Sequence, residues 1–198
     1  MGLWKKIFRR NPSKKKIENS PYLQKNEEPI ELSFVKNFTA NGGLFLYNDS
    51  LELIKFNFKE ICIENKWNRN DIVTLNQKIA ELFQVHFVEQ LSGKLNHFKA
   101  IIIQCEYLIS NTGKILLSKH QINHFKLNEL PSTIIVKAKM NQLSRDVSHG
   151  MTLLKNKYIK NIPTNITTLN TSFKSSNDKR NLLKYNKSKN IYLLLEDF

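Results

Sequence analysis

Only two cysteines occur in 198 residues, Cys62 and Cys105, and they form neither a CxxC pair nor a metal-ligand spacing. A disulfide framework, or an iron–sulfur cluster held by this chain, is therefore not expected, and both thiols read as small buried hydrophobes. Long apolar runs are missing too: none approaches the roughly 20 residues that a transmembrane helix needs. The opening MGLWKKIFRR is basic, but no apolar segment or small-residue cleavage site of a secretory signal follows it. Lys6 stands where a myristoylation pattern requires Ser or Thr. A cytosolic protein is the expectation. There is no GxGxxG, no phosphate-binding P-loop, no nucleophile elbow and no HExxH. Arginine is scarce, 5 residues against 26 lysines. Groove-reading proteins lean on arginine for bidentate base contacts, so specific nucleic-acid binding is not expected.

What the chain does have is charge, and its location matters. The formal net charge is +14. Residues 1–16 hold seven basic and no acidic side chains, and residues 170–190 hold six basic and one acidic. The other 161 residues carry 18 basic against 16 acidic groups, so the folded body is nearly neutral. Residues 1–30 read as a disordered basic tail and linker punctuated by Pro12, Pro21 and Pro29. Trp4, Ile7 and Phe8 among its cations offer a small amphipathic surface for an anionic membrane, against which a solvated leader is the simpler reading. Residues 31–198 read as one domain with a sizeable core.

Within that domain strands and helices alternate. Leu32, Val35 and Phe38 lie at helical spacing, and Asn41-Gly42-Gly43 stops the helix. Leu44–Tyr47 is a short strand. Asp49-Ser50 caps a long helix to about Lys66 with Leu51, Ile54, Phe58, Ile61 and Cys62 on its apolar stripe. Asp71–Leu75 reads as a strand, Gln77–Phe83 as a helix, and Val85–Glu89 as a third strand, with Leu91–Phe98 connecting onward. AIII (Ala100–Ile103) and Thr133–Val136 are short β-branched runs, typical of strands covered on both faces. Between them Thr112-Gly113 turns a strand pair and a polar loop follows. The residues from Asn141 to Lys157 are expected to form one helix with Leu143, Val147, Met151 and Leu154 on its apolar face. Ile162–Thr168 reads as extended, Lys174–Lys189 as a basic loop, and Ile191–Leu195 as a buried closing strand. The pattern predicts an α/β domain with a mostly parallel sheet flanked by helices.

In such sheets ligands bind beyond the carboxyl ends of the strands, which directs attention to the polar residues there. Glu106 follows the AIIIQC strand and is a candidate general base, or a carboxylate that satisfies a neighbouring amide. Gly113 suits a hairpin turn with positive φ, and the exposed amides of such a turn can hold a carboxylate or phosphate. His120 and His124 are four apart in a loop, with neither a helix to hold that spacing nor a third ligand, so no metal site is expected. Arg145 and Asp146 read as local or solvated pairs. The candidate ligand-binding residues are Asn41, Gly42, Gly43, Glu106, Asn111, Thr112, Gly113 and Gln121, expected to line one cleft for a small carboxylate or phosphate ligand.

Glu106-Tyr107-Leu108-Ile109, Thr112-Gly113-Lys114-Ile115-Leu116-Leu117, Leu130-Pro131 and the closing IYLLLED, in that order, resemble the LUD-domain family of lactate utilization proteins B and C. The short, stand-alone form similar to lactate utilization protein C is the nearest in kind, and the resemblance covers roughly Phe34 to Phe198. It implies a fold similar to the NagB/RpiA/CoA-transferase superfamily. It also implies a role as an accessory subunit in oxidation of L-lactate to pyruvate, with iron–sulfur clusters only in partner subunits and no cofactor in this chain. An independent small enzyme or ligand-binding domain acting on a carboxylated or phosphorylated metabolite is the alternative. Two departures stand out. Where the family turn often reads Ala-Glu-Thr-Gly, this chain has Ser110-Asn111-Thr112-Gly113, and Asn111 cannot form the acyl anhydride that similar CoA transferases use. Where the family tends to show R-T/S-A-D-I-E, residues 162–168 read IPTNITT, without acids.

Overall fold

The computed structural model describes residues 28–88, 95–170 and 189–198. The basic leader of residues 1–16, Pro12 and Pro21, Glu89, residues 91–94 and the basic stretch of residues 174–188 lie outside the described residues. Helix α1 is Ile30–Ala40, with Phe34 and Phe38 buried and stacked on each other at 5.4 Å. Strand β1 is Leu44–Asn48 and helix α2 is Leu51–Asn65, whose N-terminus is capped by Ser50 accepting from the Leu53 amide. Its stripe buries Ile54, Phe58, Ile61 and Cys62, while Leu51, expected on that stripe, is exposed in the first turn. Next come β2 (Ile72–Thr74), α3 (Gln77–Phe83) and the two-residue β3 (His86–Phe87). The central segment supplies β4 (Ala100–Gln104), β5 (Tyr107–Ile109), β6 (Lys114–Leu117), the short helix α4 (Lys119–Ile122) and β7 (Thr133–Lys139). The chain ends with β8 (Leu143–Ser144), α5 (Val147–Lys157), β9 (Thr167–Leu169) and β10 (Asn190–Glu196).

Six strands form an all-parallel sheet in the order β1-β10-β7-β4-β2-β3. Successive side chains of a strand point to opposite faces, and the burial follows. Ile101, Ile103, Ile134, Val136, Leu193 and Leu195 pack on one face with Phe34 and Phe38 of α1. Ala100, Ile102, Ile135 and Leu194 pack on the other with Ile54 and Phe58 of α2 and Ile79 and Phe83 of α3. With both faces covered, the middles of these strands are continuous apolar runs and their polar residues gather at the ends.

A second sheet, β8-β5-β6-β9, was not expected from the alternating pattern. In it β5–β6 and β6–β9 are antiparallel and β5–β8 parallel. Its Leu108, Ile115 and Leu117 join the α1 side of the core, and Ile109 and Leu116 pack against Leu154 of α5. This sheet also explains why the predicted helix over residues 141–157 is shorter. Leu143 is a strand residue paired with Leu108, and the Ser110 and Asn111 amides donate to the Ser144 and Arg145 carbonyls at 2.8 and 2.9 Å. The helix starts only at Asp146, whose carboxylate accepts from the His149 amide at 2.8 Å as an N-cap. Gly150 permits the approach of α5 to β5, since a Cβ there would lie 3.1 Å from Ile109 Cδ1.

Candidate functional site

Two connections leave the carboxyl edge of the large sheet side by side and enter the small one. After β4 the chain passes through Cys105 and Glu106 into β5; after β7 it passes through residues 140–142 into β8. Gln142 ties the two together. Its Nε2 donates to the Cys105 and Glu106 carbonyls at 2.6 and 3.2 Å, and its Oε1 accepts from the Lys139 amide at 2.7 Å. The bend between the sheets leaves a cleft of about 350 Å³ outside the ends of β4, β7 and β10, the edge at which ligands of open parallel sheets bind.

Glu106 forms the floor of this bend and is 1% exposed. A buried carboxylate must have its oxygens satisfied, and here four side chains do so. Oε1 accepts from Ser118 Oγ at 2.8 Å and Gln121 Nε2 at 3.0 Å, Oε2 from Lys157 Nζ at 2.9 Å, and the Tyr158 hydroxyl sits 3.3 Å from both. Burial alone would raise its pKa. The bonds from Gln121, Lys157 and Ser118 and the Lys157 charge outweigh that, and the group is held below its usual value. Lys157 mirrors it: burial lowers its pKa, but its bonds to Glu106 and Tyr158 and their charges raise it overall. Burial raises the neighbouring Cys105 thiol, and the Glu106 charge adds to that. An ionised carboxylate with every lone pair engaged is a fixture that holds neighbouring groups in place rather than a poised general base.

The neighbours of Glu106 come from three places. Ser118 and Gln121 belong to the capping box of α4, so Gln121 and His120, expected in a loop, sit on a short helix. Lys157 and Tyr158 come from the end of α5, and the Tyr158 ring stacks on His120 with centroids 5.0 Å apart and planes at 12°. Across the cleft, Lys137 and Lys139 project from alternate positions of β7. Lys137, 13% exposed, pairs with the buried Glu196 of β10 at 2.5 Å. Lys157, 47% exposed, pairs with Glu106, while Lys139 makes no ion pair among the described residues. Both acids of the cleft are thus neutralised and one cation is left over.

The eight expected residues fall into two groups at opposite ends of the β5–β6 hairpin, not in one cleft. Glu106 and Gln121 are at its base, in the bend just described. Asn41, Asn111, Thr112 and Gly113 are at its tip, which packs on α1. Asn41 Nδ2 donates to the Thr112 carbonyl and Asn37 Nδ2 to the Ser110 carbonyl, both at 2.8 Å. Gly113 has φ +65°, and a Cβ there would lie 2.4 Å from the Phe38 amide nitrogen. Gly42 takes φ +88° to leave α1, and a Cβ on Gly43 would meet the Phe38 ring at 2.4 Å. The tip's carbonyls are spent on holding helix to hairpin, and the Ser110 and Thr112 hydroxyls are buried there without a hydrogen-bond partner. His124 stacks on Phe125, away from His120's partner Tyr158. Asp146 caps α5 and makes no ion pair with Arg145.

Sequence reading missed Lys137, Lys139, Lys157, Tyr158 and Glu196. The first two carried a signal: Lys-Ala-Lys at the end of an apolar strand places two cations on one face at its carboxyl end, and Glu196 ends β10 in the same way. Nothing local marks Lys157 and Tyr158, which reach Glu106 across 51 and 52 residues.

The family model of the LUD domain matches residues 22–195. No curated protein matches. Among solved structures, the crystal structure of a DUF162 family protein from Deinococcus radiodurans is similar, with a TM-score of 0.62 at 15% identity over 85% of this chain and 96% of that one. At that identity the likeness concerns the fold.

Proposed function

The chain belongs to the LUD-domain family, and from that premise we propose that it is an accessory subunit in the oxidation of L-lactate to pyruvate, holding a small carboxylate at the cleft beyond β4, β7 and β10. The observation that carries this reading is the pair of accessible ammonium groups, Lys139 and Lys157, in a polar cleft at the carboxyl edge of a parallel sheet. Lysine charges in a concave site of lowered dielectric attract an anion more strongly than they would in water. The accessory role accords with Glu106. Oxidising lactate removes two electrons and two protons, and a carboxylate held ionised with all its lone pairs engaged is not placed to collect a proton. The electrons would pass to partner subunits carrying iron–sulfur clusters. The departure at Asn111 argues against a covalent acyl-transfer route for this chain.

The test is twofold. Tagged full-length chain is isolated from its native cells and its partners identified, and the purified chain is titrated calorimetrically with L-lactate and pyruvate. Co-purification of a cysteine-rich iron–sulfur protein together with binding of either acid supports the proposal. A chain that comes out alone and binds neither acid overturns it.

A further inference from the structure

The cleft is larger than a three-carbon acid requires, and two ammonium groups open onto it. At roughly 30 Å³ per water-sized group, its volume of about 350 Å³ has room for about a dozen non-hydrogen atoms, twice the number in lactate or pyruvate. Ligand pockets are ordinarily lined mostly by apolar and aromatic side chains, whereas this lining is mostly polar, with Tyr107 its one aromatic ring among the described residues. The charged groups divide cleanly. Lys137 is almost buried and committed to Glu196 at 2.5 Å. Lys139 lies at the strand end with no ion pair among the described residues, and Lys157 bonds to Glu106 and Tyr158 yet remains half exposed. Two ammonium groups therefore face the open volume, Lys139 with no carboxylate on it and Lys157 with Glu106 on its buried side. Asn141 and Tyr107 also line the cleft, and among the described residues their side chains find no hydrogen-bond partner. Among the described residues no arginine lines it, so the planar fork that selects a single carboxylate is missing there and the charges act as points.

Building on the anion-binding reading of this cleft, we infer that its ligand is a multiply anionic, oxygen-rich metabolite of about a dozen non-hydrogen atoms, its negative charge shared between Lys139 and Lys157, with Asn141 and Tyr107 reading hydroxyl or carbonyl oxygens beside it. Glu106 is the positioning residue that presents Lys157. A polycarboxylate and a phosphate monoester share this chemistry.

The experiment is calorimetric titration of the full chain, at fixed ionic strength and pH 7.5, with citrate, ribose 5-phosphate, L-lactate and pyruvate. At least one of the two larger anions is expected to bind tenfold or more tightly than either three-carbon acid. Citrate alone binding assigns carboxylates to the two lysines; ribose 5-phosphate alone assigns a phosphate. Lys139→Glu is expected to weaken that ligand at least tenfold, and Lys157→Arg, which keeps the pair with Glu106, at least threefold. Lactate or pyruvate binding as tightly as the larger anions overturns this inference and leaves the accessory-subunit proposal standing. No binding by any of the four overturns the anion-site reading itself. Affinity unchanged in Lys139→Glu removes the cleft as the place of binding.

Discussion

At the base of the β5–β6 hairpin, Glu106 gathers Ser118, Gln121, Lys157 and Tyr158 beside an open cleft. At its tip, Asn111, Thr112 and Gly113 press against the backbone of α1, where Asn37 and Asn41 donate to hairpin carbonyls. Both ends are polar, and both looked like ligand sites in the sequence. They differ in where their hydrogen-bonding capacity goes. The tip uses side-chain amides on main-chain carbonyls, and a glycine lets two backbones touch. The base leaves cations with unspent donors facing solvent. A polar turn becomes a site only when something in it remains unpaired and reachable.

Substitutions that touch one end and spare the other would sharpen or break this contrast. The largest effect is expected from Gly113→Ala. A left-handed residue with a side chain costs about 1–2 kcal/mol, and the added Cβ meets the α1 backbone at 2.4 Å. A total loss of roughly 3 kcal/mol, or about 10 °C in Tm, follows for a chain of this size. Anion affinity of the folded protein should stay unchanged, and a parallel loss of affinity would mean that tip and base form one unit after all.

Glu106→Gln comes next, at about 2 kcal/mol, less than the 3–5 kcal/mol for breaking a fully buried pair, because Lys157 is half exposed. Its signature is pH dependence. The folded pKa of Glu106 is lowered, so its stabilisation is present above the ordinary carboxylate pKa and is lost as pH falls through the folded value. Lys157 is raised, so its share is complete below the ordinary lysine pKa and is lost as pH rises through the folded value. Denaturant midpoints of wild type and Glu106→Gln should converge as the medium is acidified below about pH 4. A constant difference across that range would show that the variant acts by packing alone.

Lys139→Ala should leave stability within about 0.5 kcal/mol, as for an exposed position, while weakening anion binding roughly tenfold, or about 1.4 kcal/mol. The smallest change is expected for Asn41→Ala. Loss of one partly exposed hydrogen bond to Thr112 lowers stability by about 1 kcal/mol without altering anion titrations. A change in ligand affinity in that variant would return the tip to the binding site.

Much of the architecture was legible. Ser50 as a cap, the α3 boundaries, the Gly113 turn and the buried β4, β7 and β10 all follow from local rules of capping, glycine conformation and apolar patterning. The helix over residues 141–157 was misread because Leu143, Val147 and Leu154 fit helical spacing, and that spacing does not register that Leu143 pairs with Leu108 across the small sheet. Glu106 was found because it follows a strand end, and Gln121, in a stretch that reads as a loop and is the capped helix α4, because that stretch is polar and follows the hairpin. Lys157 and Tyr158 were not, because their value lies in a contact made across about fifty residues.

By itself the sequence determined the parallel α/β core, the hairpin and the family, since β-branched runs, caps and glycine turns act through forces between near neighbours along the chain. Which polar residues share a cleft was decided only in three dimensions. The folding of the second sheet against the first brings the ends of β7, α4 and α5 around one carboxylate, and burial obliges that carboxylate to find its partners wherever the packing has put them.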